Sequence, residues 1–363
     1  MTAPILEGRD LRVAYEGKAA LDVPGIEVRE GEVLAVIGPN GAGKSTLLRV
    51  LGLLEVPTAG TVLYRGEAVS PSGSQGLAVR RRFASVFQEP LLCDTTVRAN
   101  AALGLRLRGR PAGESAAVVQ AWLERLGIAH LADRRARTLS GGEAQRTSLA
   151  RAFAVQPEVL LLDEPFSALD PPTRADLLGL LQTLLREESR TTIFVTHDRE
   201  EALRLGDRIA VMTDGKIQQI GTPSEIFGRP VSGEVARFVG VETILPGKVR
   251  ADRDGLLAVE VEGAEIQAVG SIEPGAAVLV CLRPEDLTLH RPWGEKPKDS
   301  ARNHLIGLVA EVVPLGAQVR VEVDCGVRLI SLVTKQSVEE LGIRPGAKLG
   351  VTFKATAVHL IRR

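Results

Sequence analysis

The apolar residues of this chain fall into two textures. Up to about residue 240, short unbroken apolar runs alternate with longer stretches whose apolar residues recur every three or four positions. Val33-Leu-Ala-Val-Ile37, Val159-Leu-Leu-Leu162 and Thr192-Ile-Phe-Val195 are of the first kind, and stretches 116–126 and 174–188 are of the second. An unbroken apolar run bounded by turn residues suits a strand buried on both faces, whereas a three-and-four recurrence marks one face of a helix. Such strands separated by helices predict a parallel sheet covered on both sides, an α/β domain.

Beyond about 240 the period shortens. Val259-Glu-Val-Glu262, Val319-Arg-Val-Glu-Val-Asp324 and Val278-Leu-Val-Cys-Leu282 are alternating or β-branched runs broken by Gly, Pro and Asp. They predict short strands. Residues 280–289 align weakly with 351–360, and 245–249 with 305–309, with the polar, Pro-containing stretch 291–299 between the copies. Two copies of a small β unit follow from this repeat. The predicted layout is an α/β domain over 1–238 and an all-β tandem over 240–363, its second copy from about 300.

Charge narrows the function. The 363 residues carry 45 Lys+Arg and 45 Asp+Glu, divided 29 and 29 up to Val239 and 16 and 16 after it. Neither part has the excess of cations that neutralising a nucleic-acid backbone needs, so no nucleic-acid partner is expected. No apolar run approaches the ~20 residues of a membrane-spanning helix. The opening Met-Thr-Ala-Pro-Ile-Leu lacks the features of a secretion signal, so a cytoplasmic location is expected. Cys93, Cys281 and Cys325 are scattered without a Cys-x-x-Cys pair, which predicts three free, buried thiols. The basic clusters Arg80–Arg82 and Arg106, Arg108, Arg110 read as solvated faces.

Gly38-Pro39-Asn40-Gly41-Ala42-Gly43-Lys44-Ser45-Thr46 fits Gly-x4-Gly-Lys-[Ser/Thr], between an apolar run and a helical pattern. Glycines let backbone N–H groups turn towards phosphate oxygens, and the following helix start adds its positive dipole end. Lys44 supplies charge for the outer phosphates, and the Ser45 hydroxyl suits Mg²⁺. Asp163 and Glu164 close a buried-strand pattern: the first suits a hard cation, the second, pointing to the other side, an attacking water. Ser140-Gly141-Gly142-Glu143 has capping-box spacing before a helix, and its paired glycines make a second anion-facing helix start.

These motifs, in this order, resemble the nucleotide-binding subunit of an ATP-binding cassette (ABC) transporter over about residues 5–230. The resemblance implies a P-loop ATPase fold with an inserted helical subdomain at about 89–153. It implies ATP and Mg²⁺ as ligands, and residues 38–46 as the phosphate loop. Tyr15 matches the aromatic that stacks on adenine, Gln88 the glutamine that senses the γ-phosphate and Mg²⁺, and 139–143 the family signature. Asp163 then takes the metal, Glu164 is the catalytic carboxylate, Ser167–Asp170 is a dimer-contact loop, and His197 is the switch histidine. Glu143 stands where many members have glutamine. The implied machine is a homodimer sandwiching two ATP molecules, with Lys44 and Asp163 of one subunit facing Ser140–Gly142 of the other. Its implied partners are separate transmembrane permease subunits, docked near 89–95, and an external solute-binding protein. The subunit would sit peripherally on the cytoplasmic face of the membrane.

The C-terminal tandem resembles TOBE and molybdate-binding (Mop-type) barrels, which are OB-like. Ser300-Ala301-Arg302 resembles their opening segment and Lys354-Ala355-Thr356 their closing one. The resemblance implies an oxyanion site there and makes a molybdate or tungstate importer the expected function. Glu242 and Glu285 at the equivalent places of the first copy would repel an anion, so that copy is expected to be structural. The alternatives are an importer ATPase for sulfate, phosphate, sugar, polyamine or iron, and a soluble non-transport ABC ATPase. Against the last, the interval from Lys44 to Ser140 is too short for the coiled coil of repair enzymes, and only one phosphate loop is present.

Overall fold

The computed structural model describes residues 4–294 and 299–363. Met1–Ala3, where the N-terminal reading begins, and 295–298, inside the predicted inter-copy stretch, lie outside the described residues. The chain divides into two compact units, Met1–Pro223 and Ser224–Arg363.

The first unit begins with β1 (Pro4–Tyr15), β2 (Lys18–Arg29) and β3 (Val33–Ile37), then α1 (Lys44–Leu51), β4 (Ala59–Tyr64) and β5 (Glu67–Val69). Next come α2 (Gly73–Arg80), β6 (Phe83–Val86), α3 (Val97–Leu107), α4 (Ala112–Arg125) and α5 (Gly141–Ala154). It closes with β7 (Val159–Asp163), α6 (Pro171–Glu188), β8 (Thr191–Thr196), α7 (Arg199–Leu205), β9 (Arg208–Thr213) and β10 (Lys216–Gly221). The three unbroken apolar runs are β3, β7 and β8, buried along their lengths apart from the half-exposed Asp163 that ends β7. They form the centre of a six-stranded sheet ordered β10-β9-β3-β8-β7-β6, parallel except for the edge strand β10. A four-stranded antiparallel sheet, β2-β1-β4-β5, packs its apolar face into the same core through Leu6, Leu11, Leu21 and Val23. One consequence positions the chemistry. Because β3, β6, β7 and β8 run parallel, the residues that follow them all emerge at the carboxyl end of the sheet, where open α/β sheets bind ligands.

Two sequence expectations change here. The solvated-face reading holds for Arg81, Arg82, Arg106 and Arg110, which are exposed, but not for the half-buried Arg80 and Arg108: Arg80 donates to the Leu53 and Pro71 carbonyls, and Arg108 to the Arg81, Phe83 and Gly104 carbonyls. Guanidinium forks tie off carbonyls that the turns leave unpaired. Of the cysteines, Cys281 is buried and Cys325 half-buried, but Cys93 is exposed, because it stands in a loop rather than a strand.

The second unit opens with α8 (Pro223–Gly228) and α9 (Gly233–Phe238), followed by β11 (Thr243–Arg253), β12 (Leu256–Val261), β13 (Ala264–Val269), β14 (Ala277–Leu282) and β15 (Thr288–His290). The second copy comprises β16 (Asn303–Leu315), β17 (Gln318–Asp324), β18 (Arg328–Thr334), α10 (Lys335–Leu341), β19 (Lys348–Phe353) and β20 (His359–Arg362). Two antiparallel sheets, β13-β12-β11-β14-β20 and β15-β19-β16-β17-β18, enclose a shared core of Val, Leu and Ile side chains. The copies exchange their last strands. β15, at the end of the first copy, pairs with β19, and β20, at the end of the second, pairs with β14. Asn303 adds a further tie: its side chain accepts from the Gln267 amide at 2.7 Å and donates to the Gln267 carbonyl at 2.9 Å. Gly350 of β19 is glycine because the Trp293 ring occupies the space of a Cβ.

Candidate active site

The turn after β3 is built by close approach. A Cβ on Gly38 would collide with the Met212 carbonyl, and one on Gly43 would lie 2.6 Å from the Ala20 oxygen. Gly41 and Gly43 have φ of 80° and 91°, a left-handed conformation that glycine adopts without steric cost. The amides of this loop and the start of α1 form a nest suited to phosphate oxygens. Lys44 is buried; its Nζ donates to the carbonyls of Gly38 (3.0 Å) and Pro39 (3.1 Å) and lies 3.8 Å from Glu164 Oε1. Burial pushes its pKa below the ordinary lysine value, opposed by Glu164 and Asp163.

Across the cleft, Ser45 Oγ donates to Asp163 Oδ1 at 2.8 Å. A hydroxyl and a carboxylate side by side offer the hard oxygen ligands that Mg²⁺ prefers. Burial raises the Asp163 pKa, and Glu164 adds to the rise, while the bond from Ser45 opposes it. Glu164 lies just past the strand with φ 44°, held there by its amide donating to the Val195 carbonyl at 2.9 Å. The sequence expectation took the two carboxylates apart by strand pleating; the left-handed turn at Glu164 does it instead. Its carboxylate lies between Lys44 and His197, with Oε2 2.9 Å from His197 Nδ1.

His197 is exposed, but its turn is braced from behind. Arg174 of α6 pairs with Asp198 at 2.6 Å and with the buried Glu201. Glu201 accepts from Thr196 Oγ1, which in turn accepts from the Asp198 amide at 3.0 Å. Burial raises the Glu201 pKa, against the pull of Thr196 and Arg174. Sequence reasoning missed Arg174 and Glu201, because an i-to-i+27 pairing leaves no periodic trace. Asp170, at the end of the 167–170 loop, caps the same helix by accepting from the Thr173 amide at 3.1 Å.

The cleft is lined by residues 40–46 together with Ala20, Gln88 and Glu164. Gln88 follows β6, as expected from the parallel order. Ser140–Glu143 and Tyr15 are not among these lining residues. Ser140 is the N-cap of α5, and the capping box is complete: Glu143 N–H donates to Ser140 Oγ (3.3 Å), and Ser140 N–H to Glu143 Oε2 (2.7 Å). That backbone bond holds the Glu143 carboxyl below its ordinary pKa. Gly142 faces Thr173 closely enough that a Cβ would meet its methyl at 2.5 Å. Tyr15 ends β1; its hydroxyl bonds Glu55 and lies 3.5 Å from Arg49, which also donates to Thr46 Oγ1 at 3.3 Å.

In the second unit, Ser300–Arg302 lead into β16 and Lys354–Thr356 leave β19 at the Asn303↔Phe353 end of that strand pair; Ala355 is buried and the others are exposed or half-buried. The Ala301 amide is taken by Asp299 at 2.9 Å. In the first copy, Glu242 is neutralised by Arg320 at 2.7 Å, and Glu285 lies 3.4 Å from Arg283.

The ABC transporter family model matches residues 21–167, and the TOBE domain model matches 299–360. The molybdate/tungstate import ATP-binding protein WtpC of Pyrococcus horikoshii is 40% identical over 338 residues, covering 92% of this chain and 93% of that protein. The spermidine/putrescine import ATP-binding protein PotA of Nitratidesulfovibrio vulgaris is 41% identical, covering 87% of this chain and 85% of that protein. The sulfate/thiosulfate import ATP-binding protein CysA of Xylella fastidiosa is 41% identical, covering 79% and 81%. Among solved structures, cbiO1 of Clostridium perfringens, part of the cbiONQ ABC transporter complex, superposes with a TM-score of 0.58 at 32% identity, over 65% of this chain and 94% of that one. The cassette MJ0796, a dimer bound to ADP and Pi, gives 0.55 at 31%, over 60% and 98%. With this fold, this cleft and relatives matched along nearly their whole length, the chain belongs to the ABC transporter family as an ATP-hydrolysing subunit of the import type, carrying a C-terminal TOBE domain.

Proposed function

We propose that two copies of this chain sandwich two ATP molecules and drive a permease, with each hydrolysis site shared between the copies. The convergence of Lys44, Ser45, Gln88, Asp163, Glu164 and His197 at the carboxyl end of the sheet carries this reading, with Ser140–Glu143 standing apart on α5. In it, the amides of 38–46 and Lys44 bind the phosphates, and Tyr15 stacks on the adenine. Ser45, Asp163 and Gln88 would hold Mg²⁺, which neutralises charge on the β- and γ-phosphates when bound. Glu164 orients the attacking water and accepts its proton. His197, fixed against Glu164, holds the γ-phosphate in line. Ser140–Gly142 of the second copy close over that phosphate with backbone amides and a helix dipole. As water adds to the γ-phosphorus, its bond to the oxygen shared with the β-phosphate breaks, giving ADP and phosphate, and loss of that γ-phosphate bridge releases the partner.

The Glu164→Gln chain tests the catalytic assignment. It keeps ATP binding but loses at least about 100-fold in turnover, as expected when the group that accepts the water's proton is removed. Near-normal turnover would overturn the role of Glu164.

The solute we propose is a molybdate- or tungstate-type oxyanion, delivered by an external binding protein to permease subunits at the cytoplasmic face of the membrane. The support is local: Ser300–Arg302 and Lys354–Thr356 flank the same Asn303↔Phe353 strand end, which would supply the exposed cations Arg302 and Lys354 and turn amides as donors. An anion bound there displaces Asp299 from the Ala301 amide and could also act as a regulatory ligand. Polyamine and sulfate importers match this chain as well as the molybdate/tungstate one does, so direct titration decides. Calorimetry of the full chain with molybdate, tungstate and sulfate should give heat with the first two. Heat with sulfate alone would make it a sulfate-type importer, and no heat would remove the oxyanion site.

A further inference from the structure

The segment between β6 and α3 forms no strand or helix through 89–95, yet two helix side chains hold it fast. Arg151, in the last turn of α5, is half-buried, and no carboxylate pairs with it among the described residues. Its guanidinium donates instead to the carbonyls of Pro90 (2.8 Å) and Leu91 (2.9 Å) and to Ser148 Oγ (3.2 Å). Burial holds its pKa below the ordinary arginine value, the sign of a cation drawn from water without a counter-charge. Leu91 has φ 46°, a left-handed conformation that a branched side chain resists. That side chain is 58% exposed, so packing does not impose the conformation. Arg151 bonds the carbonyls on both sides of the Pro90–Leu91 link. Further along, the fully buried Asn100 of α3 accepts from the Cys93 amide (2.8 Å) and donates to the Cys93 carbonyl (3.0 Å).

Gln88 therefore sits between a strand of the central sheet and a loop clamped to α3 and α5. The same α5 starts at Ser140. We infer that Arg151 is a positioning residue for Gln88: it holds Leu91 in its strained form, so that α5 sets the Gln88 loop and the 140–143 segment together. The inference rests on the role proposed for Gln88 above.

If Arg151 acts by holding the left-handed Leu91, glycine at 91 makes it dispensable, because glycine adopts that conformation freely. In the full chain, Arg151→Met should lower the ATPase kcat about 5- to 20-fold, with the KM for ATP within threefold. With no permease present, Arg151→Met/Leu91→Gly returns to within threefold of the turnover of Leu91→Gly alone. Loss of a purely structural brace would not be restored by a change at 91. Should Arg151→Met not fold, Arg151→Lys replaces it, since a point ammonium cannot span both carbonyls and Ser148 as the fork does. A single variant with unchanged kcat, or a double variant no better than the single one, overturns the clamp. A Gln88→Ala chain measured alongside separates the two readings. Near-normal turnover there overturns the role of Gln88 and the inference with it, whereas a slowed Gln88→Ala beside an unaffected Arg151→Met overturns the clamp alone.

Discussion

At the scale of single residues, backbone approach decides more than side-chain chemistry. Gly38 and Gly43 leave no room for a methyl group against the Met212 and Ala20 carbonyls, so alanine at either must displace the phosphate loop. Gly38→Ala should weaken ATP binding at least tenfold in a nucleotide-displacement titration and lower the melting temperature as the loop shifts; unchanged affinity would contradict a backbone cradle. Asp163 gives a pH dependence whose sign is fixed by its burial. Its pKa is raised, so a falling pH protonates it sooner than an exposed aspartate and removes a ligand from the cation. The Mg²⁺ concentration for half-maximal ATPase should therefore climb as pH falls, starting at a higher pH than for an exposed aspartate, and a flat profile down to the point of acid unfolding would count against Asp163 as ligand. Phosphate loop, strand-end acids and capping box were legible in the sequence because each is a short spacing with one physical purpose. The left-handed turn at Glu164 was not. It depends on a bond to Val195, a residue of another strand.

At the scale of elements, pattern announces that a strand exists but not what it pairs with. The apolar runs of β3, β7 and β8 were plain because both faces are buried. The tandem repeat was also plain, yet the exchange of β15 and β20 between copies was not, since a period of two carries no information about the neighbour. Asn303 pairs with the Gln267 backbone as a strand would, a tie between the copies that no spacing in the sequence announces. Asn303→Ala leaves the half-buried Gln267 amide and carbonyl short of partners, costing about 1 to 2 kcal/mol. It should lower the melting of the C-terminal unit by several degrees without touching ATP affinity. Ser140→Ala removes the α5 cap, worth about 1 kcal/mol of helix stability. Its larger effect should be on turnover, because the same hydroxyl is proposed to face the other copy's phosphate.

At the scale of the whole molecule, the neutral charge of both parts of the chain acquires a meaning: anion binding has to be local, at helix starts and turn amides around Lys44 and Ser140. No helix among the described residues is long and apolar enough to cross a membrane. The central claim is that one copy's 38–46, Asp163 and Glu164 work only with another copy's 140–143. Mixing two inactive chains, Glu164→Gln and Ser140→Arg, tests it most directly. In a mixed dimer one site carries both defects and the other carries neither. The mixture should regain ATPase activity of up to roughly a quarter of wild type, the share of intact sites when subunits pair at random. If the mixture stays as inactive as its parts, each site is complete within one chain and the shared-site account is wrong.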